Sequence, residues 1–195
     1  MSKLWLALLA MVALGYWGLT RPRASTAGDP VDWSGDPVQE STAREPFEID
    51  TGKGKVTLEP RASFDASAVV ASDEHYRFDD GAFLVPVDLV MTWGELPEEP
   101  YKSKVSYGQI TRYYFWRTEA TDLDLHYIRT HSANMHMIPA DTNVRRALLS
   151  VWSGDKVRVR GLLVNAKRDD GFYWNSSLSR EDDGPGACEL VWVEE

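Results

Sequence analysis

The stretch Lys156-Val-Arg-Val-Arg-Gly-Leu-Leu-Val-Asn-Ala-Lys167 decides the fold. Val157 and Val159 fall on one side of a strict alternation and Arg158 and Arg160 on the other. That is the period-two signature of a strand with one dry and one wet face. Gly161, mid-strand, removes a side chain where a strand in a barrel bends. Asp169-Asp170-Gly171 supplies a hairpin turn, Phe172 to Ser179 returns, and Cys188 to Val193 reads as a last strand after a polar loop over 181–186.

On the N-terminal side of this stretch, Asp141 or Thr142 suits the cap of a helix over about 143–152, with Val144, Leu148, Val151 and Trp152 on one face. A strand, a helix-bearing connection and then strands joined by tight turns is the order of the second half of a small Greek-key barrel of the OB type. Earlier segments also read as strands. Lys55–Glu59 alternates and Pro60 ends it; 67–72 is β-prone; 82–93 is the most apolar run, with Pro86 marking an edge or bulged strand. Gly108 to Arg117 is rich in aromatic and β-branched residues and is a strand candidate. The expected fold is mainly β with one short helix: an OB-like or related small β-barrel.

The N-terminus sets where this domain works. Leu4 to Leu19 is an uninterrupted apolar run without a charge, flanked by Lys3 and by Arg21 and Arg23. A spanning helix takes about 20 apolar residues, whereas the apolar core of a cleaved signal is roughly 7–15. Residues 1–20 are therefore expected to form an uncleaved transmembrane signal anchor. Residues 21–46, rich in Pro, Gly, Ser, Asp and Thr, are expected to be a flexible linker. Residues 47–195 form the domain. A short N-terminus before a long C-terminal domain predicts a single-pass inner-membrane protein with its domain on the periplasmic side.

Composition bounds the partners. The 195 residues carry 21 Lys and Arg against 30 Asp and Glu, a formal net charge of −9. The basic footprint of a nucleic-acid binder is missing, so no nucleic-acid partner is expected. One cysteine, Cys188, excludes an intramolecular disulfide. The eight Trp and eight Tyr are read mainly as core.

The segments LVPVDLVMTWG (84–94), HSANMHMIPA (131–140), GDKVRVRGLLV (154–164) and WNSSLSREDDGPGACELVWVE (174–194) resemble an uncharacterised group of bacterial membrane-anchored proteins. The resemblance implies a shared domain behind an N-terminal anchor; it implies no activity and no catalytic residues.

Three constellations are candidates for chemistry. Trp174, Ser176, Ser177 and Arg180, with Asn134, make a polar and aromatic edge suited to ligand binding: Trp stacks, Ser and Asn hydrogen-bond, Arg pairs with an anion. His131 and His136, with His126 at the same five-residue spacing, are a candidate zinc or copper site. That spacing fits neither a helical pair nor the usual short zinc-ligand spacings. Buried histidines bonded to backbone groups are the simpler reading. Cys188 with His131 or His136 and Asn134 is a candidate thiolate nucleophile for hydrolysis or redox chemistry, although no nucleophile motif surrounds it. With no nucleotide loop, nucleophile elbow or zinc-protease motif, the expected role is that of a membrane-anchored binding or assembly module. It would dock a partner protein or ligand and need no cofactor; a metal-dependent enzyme or carrier, and a Cys188 enzyme, are the alternatives.

Overall fold

The computed structural model describes residues 30–182, 184 and 186–195. The apolar run over 4–19, and with it the expected anchor, lies outside them. Among the described residues no helix is long and apolar enough to cross a membrane.

The chain is mainly β. Eight strands form one sheet: β1 (Val38–Glu40), β2 (Phe47–Thr51), β3 (Gly54–His75), β4 (Val87–Thr92), β7 (Ser132–Pro139), β8 (Lys156–Lys167), β9 (Tyr173–Trp174) and β10 (Glu189–Val193). A separate hairpin joins β5 (Ser106–Ile110) to β6 (Tyr113–Arg117). Among the described residues there are three short helices where the sequence predicted one: α1 (Tyr101–Lys104), α2 (Leu125–Thr130) and α3 (Thr142–Leu148). The predicted helix is α3. Asp141 caps it by accepting from the backbone N–H groups of Asn143 and Val144. Asp124 caps α2 in the same way.

The strands close a ring, because β3 pairs with β4 at one end of its length and with β8 along much of the rest. The order is β3-β4-β7-β10-β8 and back to β3. Every pairing is antiparallel except β7 with β10, which is parallel. Ala62, Phe64, Ala66, Val70, Leu89, Met91, Met135, Met137, Val159, Leu163, Val191 and Val193 fill the interior. Leu148 and Val151, from α3 and the residues just after it, pack against the same core. A second core lies outside the ring, where Val56, Leu58, Leu84, Val85, Ile138, Leu162, Val164, Leu190 and Trp192 meet.

The long strand β3 joins segments that local reading separates. Pro60 does not end a strand; it sits in one, at a register irregularity where Pro60 pairs with Val164 and Ala62 with Leu163. Proline cannot donate to the ladder, and a bulge absorbs the lost bond while turning the strand. Pro86 stands immediately before β4, which is flanked by β3 and β7 and so is not an edge. Its carbonyl accepts from the Tyr76 N–H at 2.9 Å. Within 21–46, Val38–Glu40 pairs with Ser63–Asp65, and Asp36 accepts from Trp93 Nε1 at 2.9 Å.

The alternation that opened the reading holds: Val159 is buried while Arg158 and Arg160 are exposed and share Asp65 as a partner. Gly161 is required by close approach. A Cβ there would lie 1.8 Å from the Trp192 carbonyl oxygen, so β10 could not keep its register on β8. Gly161→Ala is expected to lower stability by about 3 kcal/mol, the upper end of overpacking costs. The drop is measurable as a lowered urea midpoint with unchanged m-value.

Candidate functional site

With Leu89, Met91, Met135 and Met137 facing into the ring, alternation puts Asp88, Asn134 and His136 on the outer face of β4 and β7. Asp88 lies opposite His136 in the register. All three are buried, because the β5–β6 hairpin lies over this face. Gln109 Nε2 donates to Asn134 Oδ1 at 2.8 Å, and the Tyr114 hydroxyl donates to the Ser132 carbonyl at 3.1 Å.

The hairpin replaces the strand expected over 108–117. Its turn residues, Thr111 and Arg112, have φ of 47° and 73°. A tight hairpin needs positive φ at both central positions and normally takes Asn or Gly there; a β-branched residue in that region is an outlier. Arg112 explains how the turn persists. Its guanidinium makes a two-pronged contact to Asp79 at 2.7 and 2.8 Å, donates to Asp88 Oδ1 at 2.9 Å and to the Val85 carbonyl at 3.0 Å, and lies 3.4 Å from the centre of the Tyr76 ring. Its backbone N–H donates to the Tyr76 hydroxyl, and its carbonyl accepts from Asn134 Nδ2 at 3.0 Å. Burial works against the ionised Asp79 carboxyl, but the hydrogen bonds and charge of Arg112 outweigh it and hold its pKa below the ordinary carboxylate value.

His136 Nδ1 stands 2.9 Å from Asp88 Oδ1, off the line of a hydrogen bond, and its ring packs on Trp174 at 4.6 Å. The structure therefore gathers Trp174, Asn134 and His136 in one network with Asp88 and Arg112. Ser176 and Ser177 act as clamps in the segment that returns to β10. Ser176 Oγ accepts from the Leu190 N–H at 3.0 Å, and Ser177 Oγ donates to Asp182 Oδ2 at 2.6 Å. Arg180 reaches past the acidic loop to Glu189, which is 1% exposed on the row of β10 that faces the ring interior.

The histidines are not brought together. Residues Ser132–Pro139 are strand β7, and five extended residues separate His131 from His136 by about 16 Å. His131 caps α2, stacks on Tyr127 at 3.7 Å and points Nε2 toward Asp36 at 3.6 Å. His126 sits beside Arg129 on α2. Among the described residues no group of three His, Cys, Asp or Glu side chains is placed to hold a metal ion. Cys188 meets Asn134 Nδ2 at 3.8 Å, and burial pushes its thiol up to about 12. A nucleophilic cysteine needs the opposite shift.

Beside the network a cleft of about 370 Å³ opens between β6 and the segment leading into β10, with Tyr114, Trp116, Ser132, Arg180, Asp182 and Glu189 among its lining residues. Sequence reading missed Arg112, Asp79, Asp88, Tyr76 and Glu189. A signal existed for two of them: Asp88 and Glu189 are lone charges inside apolar strands, and such charges must be partnered.

No family model matches the chain, and no curated protein or solved structure matches it.

Three outcomes are expected. Arg112→Ala leaves Asp88 buried without its cation and is expected to cost about 3–5 kcal/mol. Hydrogen exchange should show β5–β6 losing protection first, and adding Asp88→Asn should recover part of the loss. Thiol reagents should label native Cys188 slowly and the denatured chain fast. Burial raises Glu189 from its ordinary 4.5 to about 7, against the opposing pull of Arg180. The folded protein thus holds this proton more tightly than the unfolded chain, so its contribution to stability is greatest below 4.5 and is lost as pH rises toward 7. Melting temperature measured across that window should fall in the parent and flatten in Glu189→Gln.

Proposed function

We propose that the protein is a binding and assembly module: an OB-type domain, tethered through the 4–19 run on the periplasmic side of the inner membrane, that docks a partner protein through the β5–β6 hairpin. The strand order supports the OB assignment, as does the placing of α3 between the third and fourth strands of the ring. OB folds bind ligands on the face of their second and third strands and through the loops joining strands one to two and four to five. Here those are the β4–β7 face and the segments over 76–86 and 168–188. The hairpin seals that face, so the contact surface moves outward onto the hairpin itself. The resemblance of the sequence to membrane-anchored proteins agrees with the tethered reading.

One observation carries the proposal. The outer face of the hairpin leaves Ile110 61%, Tyr113 50% and Phe115 39% exposed, with Ile110 and Tyr113 directly opposite each other. Aromatic and aliphatic anchors of this kind dominate binding at interfaces. A hairpin already pinned at its turn loses little freedom on docking.

A photo-crosslinking amino acid at Tyr113 of the full chain, in its native membranes, should give a discrete adduct. The same probe at Arg146, on exposed α3, should not. Ile110→Ser with Phe115→Ser should abolish the adduct while changing stability by less than about 1 kcal/mol. Equal labelling from both positions, or none from Tyr113, would overturn the reading.

A further inference from the structure

The cleft behind the hairpin holds a feature that partner docking does not use. Glu189 follows the alternation of Val191 and Val193, both in the ring core, so a carboxyl stands where the pattern calls for an apolar side chain. Arg180 meets Glu189 Oε1 through Nη1, while its guanidinium carbon lies over the rings of Phe64 at 5.6 Å and Trp93 at 5.8 Å. Glu189 Oε2 is buried and has no hydrogen-bond partner among the described residues. Arg–carboxylate pairs frequently use both oxygens in a fork; here, as at Asp88, one oxygen is engaged. An acceptor left bare in a dry site costs free energy, and here it belongs to a residue that lines the cleft.

The surroundings narrow what completes it. A bare acceptor calls for a donor. Two half-buried aromatic side chains, Tyr114 and Trp116, line the same cleft, and Tyr114 is held by its hydroxyl on Ser132; aromatic faces attract cations. Asp182 adds a second carboxylate to the lining and Arg129 a second guanidinium, the latter 3.9 Å from Glu181 Oε2. A volume of about 370 Å³ lies within the range of small-ligand pockets. We propose that this cleft binds a primary ammonium group on a short apolar or aromatic stem, with the ammonium donating to Glu189 Oε2 and the stem lying against Tyr114 and Trp116. Tyr113 and Phe115 of the hairpin also border the cleft, but the proposal stands apart from hairpin docking because it turns on Glu189 and is tested without a partner.

Calorimetric titration of the full chain in detergent with benzylammonium chloride should show saturable binding. Benzyl alcohol should bind at least tenfold more weakly, and benzoate should not bind. Run at pH 6.5 in two buffers of different ionisation enthalpy, the titration should report proton release, because the ammonium favours the ionised carboxylate. Glu189→Gln should lose at least tenfold in affinity and all proton release; Glu189→Asp, which keeps the charge, should retain release. A peptide acetyl-Gly-Lys-Gly-amide binding more tightly than benzylammonium would assign the ammonium to a lysine of a partner, and the reverse order to a free amine. Undiminished binding by Glu189→Gln, tighter binding of benzoate, or no heat with benzylammonium at tens of millimolar would overturn the proposal.

Discussion

The arrangement of this protein's outer face depends on one guanidinium. Arg112 holds Asp79 from the β3–β4 connection and Asp88 from the start of β4, and it does so from the tip of a hairpin inserted between β4 and β7. Three segments distant in sequence meet in a single cation. Asp88 is completely buried, and a buried carboxylate is tolerable only with a charged partner in good geometry. The requirement runs both ways. Asp88 needs Arg112 to be buried, and Arg112 needs the two carboxylates to hold a backbone conformation that its residue type disfavours.

That constraint bears on how the domain meets other molecules. A β4–β7 face bearing Asp88, Asn134 and His136 would be a polar groove if open. Covered by the hairpin, it is a buried network centred on Arg112, in which Asp88 Oδ2, Gln109 Oε1 and His136 Nδ1 have no hydrogen-bond partner among the described residues, and the surface offered to solvent becomes Ile110, Tyr113 and Phe115. The histidines and serines that resemble site residues in one dimension are drawn into support: His136 beneath Trp174, His131 against Tyr127, Ser176 and Ser177 as clamps on the path into β10. Glu189 differs in its position at a cleft: Arg180 engages one of its oxygens, and the other is buried without a hydrogen-bond partner among the described residues.

The ring itself rests on β3, a strand long enough to pair with β1, β2, β4 and β8 in turn. Its two irregularities, at Pro60/Ala62 and Val70/Ser72, bend it where a straight strand could not close the sheet. Small residues on its inner row, Ala62, Ala66 and Ala68, leave room for the methionines of β4 and β7.

What the sequence determined by itself is local and periodic. The alternation over 156–167, the Asp141 cap, the Asp169-Asp170-Gly171 turn and the apolar row of β10 are set by side-chain period and backbone preference within a few residues, and each was legible. What only the tertiary structure decided is long-range. Pro60 reads locally as a stop, and only pairing with β8 makes it a bulge. Thr111-Arg112 carries no turn signal, because its positive φ angles are stabilised by Asp79 and Asp88, 33 and 24 residues away. Of the candidate edge, Trp174 and Asn134 were placed by residue type alone. Their meeting with Arg112 was not, since no spacing in the chain encodes which loop a folded hairpin will cover.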